Sequence, residues 1–506
     1  MKMMRNMINK VTLLAAGVAL LSSCESFLDE MPDNRTTIDS VEKIGMLLVS
    51  AYPEGHPLVM HELMSDNVID NGRNRSVGFL EFEDFYLFRE TSDTRETSPE
   101  GMWQSCYKAI GSANHALAAM DELIAAGVTT EEEVASMRAE ALMSRAYTHF
   151  LLVNTFCQAY NEQSSTTDLG VPYVVEPEKS VFGNYERGTV ADVYAKIEAD
   201  IKAAMPILDD SKYAQPKYHF TRKAAAAFAA QFYLYYCKYP EAAQYATDVL
   251  GEDPTSQFRN WELFTGTSSS EYTNAYNSKE EGANIFMQGV PGVAFRMWSG
   301  RYVMTLQKSG EVVDCPGPWG DTNLANYGTL YGNSSLNSYF FPKQTEIFMY
   351  TDVVAGIGYP YVITVAYTVE KTIIDRAEAY AMMGEYEKAA QDLNYFYRQG
   401  GNNTSLSAEE IAAYYAAGGS PNCLKLAPRF TVQDGMQNYL VQACLHARRI
   451  ASVHEGTRTQ DLKRYGVAYT HFCDGAENIT IEPYDNRLAV QLPKPVLSAG
   501  LPANPR

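Results

Sequence analysis

Apolar residues recur at helical spacing along most of this chain, and in two places they do so in the same register. Ala230, Tyr233, Tyr239 and Ala242 reappear as Ala377, Tyr380, Tyr386 and Ala389, each pair 147 positions apart. A small residue lets two helices approach closely, and a Tyr one turn later lies on the same face and fills the gap. The chain breaks between the two Tyr residues, at Cys237 in one copy and Gly384 in the other. The spacing predicts two αα-hairpins, over 221–250 and 368–396. Hairpins of this kind cannot bury their apolar face alone and must stack, as tetratricopeptide units do. Such a scaffold presents sites and carries no chemistry of its own.

Other helices follow from the same pattern. Ile44, Leu47, Leu48 and Ala51 form one stripe over 42–51. Trp103 opens a long helix, and Thr130 with Glu133 forms a capping box for the next. In that helix Arg138, Glu140 and Arg145 are expected to form local ion pairs at the surface. Thr189 caps another helix, with Asp192 in its first turn. A short helix from Ala408 and a long one over 434–453 complete the set, with Gly400-Gly401 stopping the second hairpin.

The helical pattern lapses between Phe258 and Tyr367. The 112 residues from Ser256 to Tyr367 hold 20 aromatics, against 40 in the remaining 394, and three of the four Trp lie here. An insertion rich in loops and aromatics is where binding is expected. Aromatic faces stack on the C–H face of a pyranose, while Asn, Asp or Arg reach its hydroxyls. Trp298, Tyr302, Trp319 and Tyr331 neighbour Gly, Ser or Arg, so they are expected to be exposed and to form a ligand platform. Earlier in the chain, Asp66 and Asn67 in the run from His61, and Tyr86 in the aromatic crowd 79–88, are further ligand-binding candidates. Asp70-Asn71-Gly72 fails the calcium-loop pattern, with Gly72 at position three and Arg75 at position six, and is expected to be a plain turn.

The first 23 residues change the picture of where the chain works. Lys2, Arg5 and Lys10 precede an apolar run, Val11–Leu21, which is too short to span a bilayer comfortably. Leu21-Ser22-Ser23-Cys24 is the cleavage pattern of a bacterial lipoprotein, so Cys24 is expected to become the lipidated N-terminus. Several acyl chains on one residue anchor stably. Cleavage takes the formal charge from −20 to −23. This acidity argues against nucleic-acid binding, which needs a basic face. The seven other cysteines show no CxxC pair and sit mostly in apolar helical contexts, as small core residues; a single disulfide stays open.

No GxSxG, Walker loop, zinc-ligand spacing or dinucleotide fingerprint occurs, so no catalytic residue, metal or cofactor is expected. A glycosidase carboxylate pair comes together only in the fold and leaves no sequence trace. A helical glycoside hydrolase is therefore the enzymatic alternative, and a scaffold that binds only proteins is a third reading.

Several runs resemble the SusD/RagB family of outer-membrane lipoproteins. They are the polar start Cys24–Pro32, the helix Arg138-Ala139-Glu140-Ala141-Leu142-Met143-Ser144-Arg145-Ala146-Tyr147, and Arg187–Tyr194. Glu455-Gly456-Thr457-Arg458-Thr459-Gln460-Asp461-Leu462-Lys463-Arg464 is similar to the family's E-G-x-R-x-x-D-L-x-R signature, and Leu492-Pro493-Lys494-Pro495 to its closing L-P-x-P. One departure lies upstream. Where the family has E-R-x-x-E, this chain has Ala447-Arg448-Arg449-Ile450-Ala451, which puts the local ion pairs in question, and His454 replaces an aromatic.

The resemblance implies a mainly α, SusD-like fold. Its parts are a signal peptide (1–23), an N-terminal part (24–255) and a C-terminal part (256–506), the last with the insertion 256–367 and the hairpin 368–400. It also implies a non-enzymatic, lipid-anchored, surface-exposed protein of the outer membrane. Such a protein captures glycan, or alternatively peptide, and passes it to a SusC-type TonB-dependent transporter.

Overall fold

The computed structural model describes residues 38–178, 185–292, 294–320 and 330–506. The signal segment and Cys24 lie outside them. The unit Val41–Arg506 is mainly helical. Helices α1 (Val41–Leu48), α2 (Leu58–Leu63) and α3 (Leu80–Tyr86) lead into the long pair α4 (Pro99–Ala125) and α5 (Glu131–Phe156), then α6 (Val190–Ala204). Ser98 caps α4 with Pro99 in its first turn, four residues before the expected start at Trp103. The capping boxes at Thr130–Glu133 and Thr189–Asp192 both form.

Arg145 corrects the surface expectation. It is buried and bidentate to Asp200 of α6, at 2.8 and 2.7 Å. Glu140 is also buried and meets Tyr52 and His219. Ala141 and Ala146 are fully buried, so this helix packs on nearly all sides and has room for few solvated charges. Only Arg138 keeps exposed carboxylate partners, Glu131 and Asp121.

The two helical hairpins match residue for residue. The first is α7 (Arg222–Tyr235) and α8 (Tyr239–Leu250). After α9 (Ser269–Tyr276) and α10 (Leu306–Val312) of the insertion comes the second, α11 (Val369–Met383) and α12 (Tyr386–Gln399). Thr221 and Thr368 are the N-caps. Both turns close with the same two bonds, Lys238 N–H to Tyr233 O and Cys237 N–H to Leu234 O, then Glu385 N–H to Tyr380 O and Gly384 N–H to Ala381 O. That pairing is a Schellman motif, and it needs a left-handed residue after the helix. Gly384 has φ +79° and Cys237 has φ +58°. A Cβ on Gly384 meets nothing within 4 Å, so Gly384→Ala isolates the backbone cost. We expect it to lower stability by about 1–2 kcal/mol, read from urea unfolding.

α8 packs on α11, so the hairpins stack. Arg376 ties them, bidentate to Asp392 within the second hairpin and donating to Gly251 O of the first. Beyond them α13 (Ala408–Ala417) and α14 (Met436–Ala451) pack together, and α15 (Arg458–Arg464) and α16 (Lys494–Ser498) close the chain.

The insertion is more ordered than its sequence suggests. Strands β1 (Ile69–Asp70) and β3 (Tyr302–Val303) pair, joining it to the N-terminal part. Between them in sequence lies β2 (Asn284–Pro291), the first strand of a three-stranded antiparallel sheet. The hairpin β4 (Tyr331–Asn333) and β5 (Ser338–Phe340) comes next. Strands β6 (Ile347–Asp352) and β7 (Ile357–Thr368) complete the sheet in the order β2-β7-β6. The hairpin β8 (Tyr469–His471) and β9 (Ile479–Ile481) lies near the C-terminus.

Candidate binding surface

The run from His61 and the signature from Glu455 are one buried structure. Glu62 of α2 accepts the His454 and Gly456 N–H groups at 3.0 and 3.1 Å. Arg458 is bidentate to Asp66, at 2.7 and 2.9 Å. Arg449 donates to Asn67 Oδ1 at 2.9 Å. Arg449 and Arg458 hold the Asp66 carboxyl far below the usual range despite its burial. Asp66 and Asn67, expected to meet ligand, are committed instead to these arginines, and Asn67 has no exposed surface.

The aromatic candidates are corrected in the same way. Tyr86 stacks between Tyr302 and His471, with centroids 4.3 and 4.2 Å away. Its hydroxyl accepts the Asp70 N–H and donates to Phe472 O. Trp298 lies 3.9 Å from His454, and Trp319 lies 3.9 Å from Tyr397 with its Nε1–H on Asn394 Oδ1. Trp298, Tyr302 and Trp319 are all at least 95% buried. The insertion has to build its own core against the helices, and its largest rings supply that core. Tyr331 alone of the four stays half-buried, its hydroxyl on Thr267 O.

The Tyr86–Tyr302 stack supports a surface that sequence reasoning missed. Arg301 is bidentate to Asp70, at 2.7 and 2.6 Å, and lies 3.3 Å from Glu83. Tyr302 donates to the same Glu83. Above this base three distant segments converge. Asn71 donates to Leu336 O and accepts from Asn337, and Arg75 donates to Ser335 O. Arg73 pairs with Asp474, with side chains 61% and 37% exposed. The Asp70-Asn71-Gly72 turn forms as expected, Asp70 accepting the Gly72 N–H. The rim is therefore Asn, Arg, Ser and Asp, with Tyr331 at the start of the same β4–β5 hairpin. Its only sequence signal was the Asn, Gly and Arg content of 71–75.

A second exposed feature is apolar. Ile347, Phe348, Met349, Tyr350, Val353, Val354 and Ile357, at the tip of β6–β7, are 42–98% exposed. Among the insertion's described residues the most exposed aromatics, Phe348 and Tyr350, are here. Among the described residues no His, Cys, Asp and Glu cluster could hold a metal ion, the seven cysteines are free, and no helix is long and apolar enough to cross a membrane.

Residues 26–234 match the family model SusD-like_3, described as starch-binding associating with outer membrane. None of the curated proteins matches. Solved structures resemble nearly the whole chain. A SusD superfamily protein from Bacteroides vulgatus is 17% identical, with TM-score 0.65 over 93% of this chain and 99% of that one. Another, from Bacteroides thetaiotaomicron, is also 17% identical, with TM-score 0.57 over 93% and 100%. A laminarin-binding SusD-like protein is 18% identical, with TM-score 0.55 over 92% and 99%. The fold is that of the SusD superfamily. The family match lies within residues 26–234, and the solved structures extend the likeness in fold to nearly the whole chain.

Proposed function

We propose that this chain is a binding protein without catalytic activity. It captures glycan at the rim formed by Asn71, Arg73, Arg75, Asn337 and Asp474. The observation that carries this reading is the rim itself. Exposed Arg73 and half-buried Asn71, Arg75, Asn337 and Asp474, planar side chains from three distant segments, stand on a buried base, as recognition of sugar hydroxyls requires. The family description and the laminarin-binding relative support the ligand class. Cys24 anchors the chain in the outer membrane, facing outward, and a SusC-type TonB-dependent transporter takes the ligand on. The tether raises the effective concentration of the two partners. We assign the transporter contact to the apolar tip Ile347–Ile357, since a patch of this kind marks a partner surface.

The test is calorimetric titration of the mature chain without Cys24 against a glycan panel that includes laminarin, and against a peptide digest, with reducing-sugar release followed alongside. Saturable glycan binding without release is the expected result. Binding of peptide alone would move the ligand class, and release of sugar would make the chain a hydrolase. Replacing Arg73 and Arg75 by Ala should weaken glycan by about 1.5–3 kcal/mol, about tenfold or more, with little change in stability, because Arg73 is exposed and half-buried Arg75 gives up one surface hydrogen bond, to Ser335 O. Serine at Phe348, Tyr350 and Val354 should abolish co-purification of the transporter and leave the calorimetric heat unchanged.

A further inference from the structure

Strand β6 (Ile347–Asp352) is the outer strand of the sheet β2-β7-β6, and its free edge has a definite geometry. Successive residues of β7 turn their main-chain groups to β2 and to β6 alternately. Pro360 turns toward β2, where its carbonyl accepts the Gly292 N–H at 3.1 Å. Phe348 stands opposite Pro360, so this pair exchanges no bonds, and the Phe348 N–H and C=O point out of the sheet. Tyr350, two residues on and opposite Gly358, turns its main chain the same way. Met349 between them turns to β7, and a Cβ on Gly358 would run into its carbonyl. Among the described residues, nothing outside the sheet bonds to the outward groups of Phe348 and Tyr350.

An edge of this kind pairs with any strand that meets it, so edges are commonly guarded by a lysine, a proline or a bulge. Ile347–Thr351 holds no charge and no proline, and the irregularity in its pairing comes at its end, between Tyr350 and Asp352. Both faces of β6 are exposed. The seven apolar residues of the tip, 42–98% exposed, leave on the order of 800 Å² bare, about one partner's share of a standard interface. These facts narrow the occupant. A lipid bilayer would cover the side chains and leave the open edge unpaired in hydrocarbon, which is not tolerated. A helix spends its main-chain groups internally and offers none to the edge. A second copy would bring together two chains of formal charge −20. The one ionisable residue in 347–357 is Asp352, which accepts the Val354 and Ala355 N–H groups, so the tip offers no free charge for recognition.

We infer that β6 pairs with an extended, uncharged strand of the transporter, which lengthens the sheet to four strands and covers Phe348 and Tyr350. This rests on the assignment of the apolar tip to the transporter and adds its mode. Main-chain pairing supplies affinity, and the side chains on either face set the register.

The experiment compares Tyr350→Pro with Tyr350→Ala, and Phe348→Pro with Phe348→Ala. Each pair loses the same ring, and only the Pro variant loses the outward N–H, without taking a bond from β7. The chain without Cys24 is immobilised and titrated with the detergent-solubilised SusC-type transporter, and melting temperatures check the fold. Each Pro variant should bind about tenfold or more weaker than its Ala counterpart, because a transporter carbonyl is left unpaired. If the Pro variants do not fold, hydrogen exchange of the parent's 347–352 segment serves, and it should slow when transporter is added. Equal binding by the Pro and Ala variants, or exchange that does not slow, overturns strand pairing and leaves the transporter contact standing. No binding by the parent chain overturns both. A parent dimer in light scattering that the Pro variants lose gives the edge to a second copy. Flotation of the parent with vesicles of phosphatidylethanolamine and phosphatidylglycerol, lost on serine at Phe348, Tyr350 and Val354, gives the tip to lipid. Either result overturns the inference.

Discussion

Arg448→Ala should lower stability by about 3–5 kcal/mol, the cost of removing one partner from a buried ion network. Arg448 is 3% exposed and faces three carboxylates: Asp375 at 3.1 Å, Glu378 at 2.6 Å and Asp461 at 3.2 Å. Arg464 adds a second cation, at 2.5 Å from Glu378 and 3.2 Å from Asp461. Even with both arginines present, burial pushes Asp375 up to about 6, while Arg448 and Arg464 hold Glu378 down to about 2. Without Arg448, one cation is left for three carboxylates, and the native pKa values of Asp375 and Glu378 rise. A carboxyl whose native pKa lies above its unfolded value binds more protons when folded. Stability then falls as pH rises between the two values. The deficit of the variant should therefore be larger at pH 8 than at pH 5. Arg448→Met restores the bulk and not the charge, so it should show nearly the same deficit. Urea unfolding at both pH values checks this, and a loss below about 1 kcal/mol at pH 8 would falsify the network's role.

This network also marks where the sequence was legible. The helical hairpins were readable because every determinant is local. Thr caps, small residues at contact positions and the left-handed break all lie within one stretch of about thirty residues. The signature from Glu455 was readable as a motif. Its partners were not, because Asp66 and Arg458 are 392 positions apart. The departure at Ala447–Ala451 put the ion pairs in question, yet Asp375 and Glu378 reach Arg448 from α11. A carboxylate supplied by another helix leaves no trace in local spacing. The strands of the insertion were missed for a related reason. β6 is exposed along its whole length and shows no burial alternation, and β7 alternates over only part of its length. The candidate surface was signalled only by the Asn, Gly and Arg content of 71–75. The aromatic candidates gave no guide to it, since Gly or Ser neighbours do not decide whether a ring faces solvent or core.

Trp298→Ala tests that last point, and it should cost about 3–5 kcal/mol of stability. The ring is 3% exposed, lies 3.9 Å from His454 and runs nearly parallel to Phe340, 5° apart at 6.2 Å. The Trp298 carbonyl also accepts the Ser338 hydroxyl, which ties β5 to this segment. The indole Nε1–H has no partner among the described residues, so the side chain acts through packing alone. Trp298→Phe keeps an aromatic body without losing a hydrogen bond, and should cost clearly less than the Ala variant. Glycan affinity, measured at a temperature where the Ala variant is still folded, should stay within about twofold of the parent, because no face of the ring reaches the rim. The opposite pattern, near-parental stability with binding weakened tenfold or more, would return Trp298 to the ligand platform and remove the case for the rim of Asn71, Arg73 and Arg75. Packing sets the expectation: a ring held on both sides by the protein has no face left for a sugar.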